Sequence, residues 1–371
     1  MIIILTQCFP PRVGGIENLI ENLSLELSKT HEVLVLADQY DKSEDYVYDS
    51  NVNDNITIKR FGGIKFFRRR KKILNLNQYL KTENITCIIG DSWKSFELCV
   101  DTLQNQSIYS ICLVHGNEII PKHSAYKKRL ITTLNKVSHI VCNSNYTKDL
   151  VLQTGVINKS VTCIHPGAQN NINLSDETIP NLNGSPIIVT LARLEKRKGH
   201  PYILSAIAKL KNEYPNILYV IAGSGEELSN LKKIVHKLNI ENNVLFLGTI
   251  NNNEKNFLFK KTDLLIMPTT DETNNRSIEG FGIAYIEAAF YGIPSIASNI
   301  GGTPEAVIHE ETGLILSKID DVYSALRHLI SDKTKTKKLG QNAKIRAESN
   351  YKWADVIKKY LHIIDNIDRK N

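Results

Sequence analysis

"MIIILTQCFPPRVGGIENLIENLSLELSKTHEVLVLA", Met1 to Ala37, sets out a strand, a helix and a second strand in succession. Two aliphatic runs, Ile2–Thr6 and Glu32–Ala37, read as buried strands, while Ile16, Leu19, Ile20, Leu23 and Leu27 recur at the spacing of one helix face. A parallel βαβ unit follows from that order. The four aliphatic residues before Thr6 follow no basic segment and are too few for a signal sequence or a membrane span, so the stretch is read as a buried first strand.

The same alternation runs through the chain. Strand candidates at Ile56–Phe61, Thr86–Ile89, Tyr109–Val114, His139–Asn143 and Val161–Ile164 complete a first α/β unit. "PGAQNNINLSDETIPNLNGSP" (Pro166–Pro186) then interrupts the pattern and reads as a linker. Further candidates follow at Ile187–Thr190, Leu218–Ala222, Val244–Phe246, Leu264–Met267, Pro294–Ala297 and Leu314–Leu316. Two charged helical segments, Asp332–Glu348 and Trp353–Asn366, end the chain. With 371 residues, 42% hydrophobic and 23% charged, two globular domains are expected. We place the first at residues 1–168, the linker at 169–186, the second at 187–348, and a C-terminal helix at 349–371 packing back toward the first. Two doubly wound domains imply a ligand cleft where the carboxyl ends of their sheets face each other. The six cysteines show neither C-x-x-C pairs nor zinc-ligand spacing, which suits free thiols in a reducing compartment. A net charge of +7 favours anionic partners, such as nucleotide phosphates or an acidic bilayer, without choosing between them.

A second stretch carries the chemistry. In "EGFGIAYIEAAFYGIPSIAS" (Glu279–Ser298), helix-forming residues from Ile283 to Tyr291 lie between Gly282 and Gly292, and Pro294 opens the next strand. Gly282 thus stands at a helix N-terminus, whose unpaired N–H groups and partial positive charge suit a diphosphate approaching closely over glycine. Glu279 precedes that helix and Glu287 lies about one turn inside it. The spacing of two glutamates is by itself uninformative. Set around a phosphate-binding helix end, however, the two can reach hydroxyl groups on opposite sides, one on a sugar and one on a ribose.

The segment, continued through "SNIGGTPEAV" (Ser298–Val307) and "ETGLIL" (Glu311–Leu316), resembles the E-x7-E region of glycosyltransferase family 4, and the plan of nearly the whole chain is similar to that family. The resemblance implies a GT-B fold, an α/β architecture of two Rossmann-like domains facing across a cleft with C-terminal helices. It also implies a retaining enzyme that moves a sugar from a nucleotide-diphosphate sugar, with UDP slightly preferred over GDP, to a saccharide or lipid-linked acceptor. By the same resemblance Glu279 is a catalytic residue that orients the donor sugar, Phe281 and Glu287 serve sugar and ribose, and Arg193 and Lys198 of "LARLEKRKGH" bind the diphosphate together with Gly15, Gly282 and Ile283. His115, in "LVHGNE" after the Tyr109–Val114 run, is carried over as the group beside the reacting sugar. The resemblance also implies that Gly223 of "AGSGEE" and Leu247 of "VLFLGTI" line the base and ribose pocket. From the residues alone, Arg193 and Lys198 are equally a solvated loop, His115 a structural strand-end histidine, Gly15 part of a plain turn, and Gly223 a turn glycine.

"FFRRRKK" is the most basic run. Phe66, Phe67, Arg68, Arg69, Arg70, Lys71 and Lys72 read as a membrane patch ahead of a helix at Ile73–Leu80, or as a solvated loop. No D-x-D triplet is present, so no metal is expected on the diphosphate and no cofactor is required. The expected enzyme is a metal-independent hexosyltransferase-type glycosyltransferase of bacterial surface polysaccharide, lipopolysaccharide or glycolipid synthesis, peripheral on the inner face of the cytoplasmic membrane, with no nucleic-acid partner. Rival readings are an epimerase, hydrolase or phosphorylase of the same fold, and a non-catalytic sugar-binding protein.

Overall fold

The computed structural model describes residues 1–169, 172, 174–175, 177–272 and 277–367. Residues 170, 171, 173 and 176 of the expected linker, and 368–371 of the expected C-terminal helix, lie outside the described residues. The chain forms two compact units, one of Met1–Gly167 with the chain from Trp353 onward, the other Ala168–Lys352.

The first unit is a parallel sheet of seven strands: β1 Ile2–Leu5, β2 Val33–Asp38, β3 Ile56–Phe61, β4 Cys87–Gly90, β5 Ser110–Val114, β6 His139–Cys142 and β7 Val161–Cys163. Their order is β3-β2-β1-β4-β5-β6-β7, so chain direction across the sheet reverses between β1 and β4. Side chains on β1 alternate between two cores, because successive residues of a strand point to opposite faces. Ile2 and Ile4 pack with Leu19, Ile20, Leu23 and Leu27 of the Gly15–Leu27 helix, and Ile3 and Leu5 pack with Leu76, Phe96 and Leu130 on the other side. The Trp353–Asp365 helix closes the first of these layers through Val356, Ile357, Tyr360 and Ile364 and packs on the Gly15–Leu27 helix. No two cysteines form a disulfide among the described residues, and burial pushes the Cys87 and Cys99 thiols up to about 12.

The second unit repeats the plan with six parallel strands: β8 Ile187–Leu191, β9 Leu218–Ala222, β10 Val244–Gly248, β11 Leu264–Met267, β12 Ser295–Ser298 and β13 Gly313–Leu316. The order β10-β9-β8-β11-β12-β13 puts the reversal between β8 and β11. Val189, Val220 and Met267 pack with Ile286 and Phe290 of the Ile283–Phe290 helix, whereas Ile188, Tyr219 and Ile266 face Ile203, Leu231 and Leu326. In open α/β sheets ligands bind beyond the carboxyl ends of strands at such a reversal. Each unit therefore offers one such place.

Candidate active site

Beyond β8 and β11 of the second unit lies a buried ionic cluster. The chain leaves β8 through Arg193, turns through a short helical turn at Lys196–Lys198, and enters the His200–Leu210 helix at Gly199, in a left-handed conformation with φ of 70°. A Cβ on Gly199 would stand 2.1 Å from the Pro268 carbonyl oxygen, so only glycine lets this turn close on the end of β11. Arg197 and Lys198 are thereby turned inward, and Arg197 Nη1 and Lys198 Nζ each donate to Glu279 Oε2 at 2.6 Å. Glu195 holds Arg197 at 3.0 Å on one side and Arg193 at 3.0 Å on the other. Three cations thus meet two carboxylates. Burial by itself would raise the Glu279 carboxyl, but Lys198 and then Arg197 override it and hold it at about 2. Burial lowers Lys198 despite the carboxylate beside it.

Glu279 is fixed through its backbone as well. Its carbonyl accepts from Gly302 N at 2.9 Å, and Gly301, at φ of 62°, could not carry a Cβ without meeting that carbonyl oxygen at 2.1 Å. Gly282, at φ of 95°, then opens the Ile283–Phe290 helix with no side chain capping it among the described residues. Tyr285 in the first turn donates to the Met267 carbonyl at 2.7 Å and ties this helix end to β11. Gly282, Ile283, Lys198 and Glu279 are therefore brought together.

Other expected residues behave differently. Arg193 reaches the cluster only through Glu195 and is 68% exposed. Glu287 is buried, and its Oε1 accepts from Lys255 Nζ at 2.6 Å, a partner 32 positions away in the Asn252–Lys261 helix that no spacing announces. Phe281 points inward: its ring is buried against Tyr351 with centroids 5.8 Å apart, so only its backbone can face a ligand, a correction to a sugar- or ribose-binding side chain. The aromatic sequence Phe-x-Ile at a helix entry satisfies the core first. Gly223, at φ of 137°, lets the ends of β8 and β9 meet, since a Cβ there would fall 1.9 Å from the Ala192 carbonyl oxygen. Leu247 is half-buried on β10 at the edge of the core.

In the first unit the reversal gathers neutral donors around one acid. Asp91, just after β4, accepts from Thr6 Oγ1 at 2.9 Å, Gln7 N at 2.7 Å, Ser92 Oγ at 3.2 Å and Ser95 Oγ at 2.5 Å. His115, just after β5, lies with Nε2 at 2.9 Å from the Asp91 carbonyl oxygen, and its backbone N–H donates to Glu118 at 2.6 Å. A carbonyl only accepts, so Nε2 carries the proton in that contact. At the helix that begins with Gly15, the Glu17 carboxylate folds back over Gly14 and pairs with Arg12 at 2.9 Å, next to the backbone expected to meet phosphate.

The basic run needs correction. It forms the first two turns of a helix at Lys65–Thr82 rather than a loop before one, and its cations divide by helical face. Lys72 is buried, with Nζ at 2.6 Å from Asp38. Arg68 pairs with Asp38 at 2.9 Å and Arg69 with Glu97 at 2.8 Å. Phe66, Phe67, Arg70 and Lys71 remain exposed.

Comparison with known families joins these observations. The family described as Glycosyl transferases group 1 matches residues 174–346, and that described as Glycosyltransferase Family 4 matches residues 13–169. The chain belongs to glycosyltransferase family 4. Among the relatives of this family 4 glycosyltransferase is the GDP-mannose-dependent alpha-(1-6)-phosphatidylinositol monomannoside mannosyltransferase of Mycolicibacterium smegmatis, 23% identical over 95% of this chain and 94% of that protein. The gpi3 subunit of phosphatidylinositol N-acetylglucosaminyltransferase from Schizosaccharomyces pombe is 24% identical over 98% of this chain and 80% of that protein. The crystal structure of Anabaena Alr3699/HepE in complex with UDP and glucose shares the fold, with a TM-score of 0.80 and 18% identity over 99% of this chain and 100% of that one. The fold is that of the GT-B glycosyltransferases. Within it, sequence reasoning overlooked Arg197, Lys255 and Asp91 as members of these clusters. Of the three, only Arg197 sits in a motif that could have pointed to it.

Proposed function

We propose that this glycosyltransferase is a retaining, metal-independent enzyme that transfers a hexose-type sugar from a nucleotide-diphosphate sugar to a lipid-linked or saccharide acceptor. The observation that carries the reading is the buried Arg197–Glu279–Lys198 cluster beside the Gly282 helix end, which no side chain caps among the described residues. Arg197 is pinned between Glu195 and Glu279, so it keeps the Glu279 carboxylate in place. Lys198 and the exposed Arg193 are the cations able to turn toward a diphosphate, and backbone N–H groups at Ile283 meet the same anion. Once Lys198 turns, Glu279 has an oxygen to accept from a donor-sugar hydroxyl, and Glu287 faces the ribose.

In the reaction the bond from the anomeric carbon to the phosphate oxygen breaks and a bond from that carbon to the acceptor oxygen forms on the same face. The acceptor's proton passes to the departing phosphate oxygen. Positive charge fixed where the diphosphate gains charge lowers the barrier without reorganisation. His115 is assigned to the reacting sugar. Relatives named for phosphatidylinositol-based acceptors favour a lipid-linked acceptor here, and thus work at the cytoplasmic face of a membrane. Among the described residues no helix is long and apolar enough to cross one.

The test is release of nucleoside diphosphate from UDP- and GDP-sugars with and without bacterial lipid extract, in the presence of chelator. Release that needs the extract, survives chelation and yields a product of unchanged anomeric configuration is expected. Donor consumption without acceptor would instead identify a hydrolase or epimerase.

A further inference from the structure

Lys198 makes a second contact that the ionic cluster does not explain. Its Nζ lies 3.2 Å from Sδ of Met267, the last residue of β11, as well as 2.6 Å from Glu279 Oε2. Both residues are buried, Lys198 at 6% exposed and Met267 at 2%. An ammonium has three hydrogens to donate, and out of water each one left without an acceptor is costly. Among the described residues, the side-chain acceptors of this ammonium are one carboxylate oxygen and one thioether sulfur.

The sulfur is fixed from several sides. The Met267 carbonyl accepts from Tyr285 Oη at 2.7 Å and from Thr269 N at 2.9 Å, and Met267 stands opposite Ala297 of β12 in the sheet. The side chain packs among Val189, Val220, Ile286 and Phe290, where leucine would fill the space almost as well. What methionine adds is a polarizable sulfur that accepts weakly from a donor. A weak acceptor suits a cation that has to change partners: a carboxylate in its place would keep the ammonium, and an alkyl group would leave it bare when it parts from Glu279.

We propose that Met267 is a positioning residue for donor binding, its thioether being the fixed point about which the Lys198 ammonium turns from Glu279 to the diphosphate. The proposal rests on the diphosphate role given to Lys198 above. Because the chain has only two methionines, Met1 and Met267, growth of a methionine auxotroph on norleucine exchanges sulfur for methylene at Met267 with little change of shape, and growth on selenomethionine keeps a polarizable acceptor. Nucleoside diphosphate release and UDP and GDP affinity are then compared across the methionine, selenomethionine and norleucine proteins. The selenomethionine protein should match the methionine protein. The norleucine protein should lose about three- to tenfold in kcat/KM, the worth of one modest hydrogen bond, with its thermal midpoint unchanged. The basic limb of its pH profile should also move to lower pH, because charged Lys198 has lost an acceptor while Glu279, Arg197, Glu195 and His200 still face it. Met267→Leu, which leaves Met1 as it is, should show the same two changes. Equal kcat/KM and equal pH profiles in the norleucine and selenomethionine proteins would overturn the pivot. Lys198→Leu separates this result from the reading it rests on. If that variant keeps full turnover and nucleotide affinity, the diphosphate role of Lys198 falls and the pivot with it, whereas a loss there with none in the norleucine protein removes the pivot alone.

Discussion

At the reversal of the first sheet, one carboxylate, Asp91, is surrounded by hydroxyls and a backbone N–H. At the reversal of the second, one carboxylate, Glu279, is gripped by two cations. The topology is shared, but the two acids are held in different ways. Neutral donors satisfy the lone pairs of Asp91 without bringing a cation that could be passed to a ligand, which makes it a strut that spaces β1, β4 and the loop bearing His115. Cations around Glu279 are desolvated and only partly matched, so one of them can be given to an incoming phosphate while the other keeps the acid in position. Where a fold repeats, chemistry follows the sign and number of the partners placed at its reversal points, not the reversal itself.

The largest effect that would break this contrast is expected from Lys198→Met. It removes the cation proposed to turn toward the diphosphate and leaves Glu279 with Arg197 alone. Loss of one preorganised charge at a leaving group costs about 10²–10³ in rate. Turnover measured by nucleoside diphosphate release should fall by that factor, with the thermal midpoint changed far less than the rate. An unchanged rate would return Lys198 to a purely structural place.

Glu287→Ala comes next, and here the buried pair makes the change one of folding as well as of donor binding. Lys255 would be left buried and unpaired, which typically costs about 3–5 kcal/mol. For a unit of this size that lowers the midpoint by about 10 °C. Donor affinity alone therefore cannot report on Glu287. The paired change Lys255→Met with Glu287→Leu should recover most of the stability, and any donor affinity still missing in it belongs to Glu287 as a ligand.

This point also marks how far the sequence was legible. Aliphatic runs bounded by turn residues located every strand of both sheets to within a residue or two, because parallel strands buried on both faces carry a continuous apolar signal. Gly282 and Glu279 were readable for a local reason: glycine, acid and helix start are consecutive. The Glu287–Lys255 pair and the Thr6 and Gln7 donors on Asp91 were not, since they join residues 32, 85 and 84 positions apart and depend on which helix faces which strand end. Phe66 to Lys72 misled for the opposite reason. A charge run suggests one solvated face, whereas a helix with 3.6 residues per turn distributes it, sending Lys72 to Asp38 and Lys71 to solvent.

Acid sharpens the comparison further. Glu279 sits at about 2 against an ordinary 4.5, so its contribution is complete above pH 4.5 and lost as pH falls toward 2. His200, buried in the same unit, is pushed down from 6.5 to about 4 by burial and then by Lys198, so it is neutral when folded and opposes folding once the unfolded chain protonates below pH 6.5. Both act in one direction. In the first unit the signs are mixed: burial raises Glu21, which favours folding in acid, while hydrogen bonds from Ser43 and the Glu44 backbone lower the exposed Asp41. Hydrogen exchange followed from pH 7 to pH 4 should show protection lost first in Ala168–Lys352, on the order of 3 kcal/mol, as a shift of this size in a buried histidine implies. His200→Gln should flatten that loss, and equal loss in both units would remove the electrostatic distinction between them.

The smallest effect is expected at His115, and it is the most discriminating. His115→Ala removes a single contact to the Asp91 carbonyl at 2.9 Å, in a setting already stabilised by four donors to the Asp91 carboxylate, so the unit should lose only about 1 kcal/mol. If His115 only braces the strand end, turnover should change by no more than that loss implies, and His115→Gln, which keeps a donor, should restore it. If it stands beside the reacting sugar, kcat should fall by about 10²-fold, as for a positioned acid–base or hydrogen-bonding group, with donor affinity unchanged and no rescue by glutamine. The second outcome is expected. It would place one functional group on the strut-like reversal and show that the first unit contributes to the chemistry through its histidine rather than through its acid.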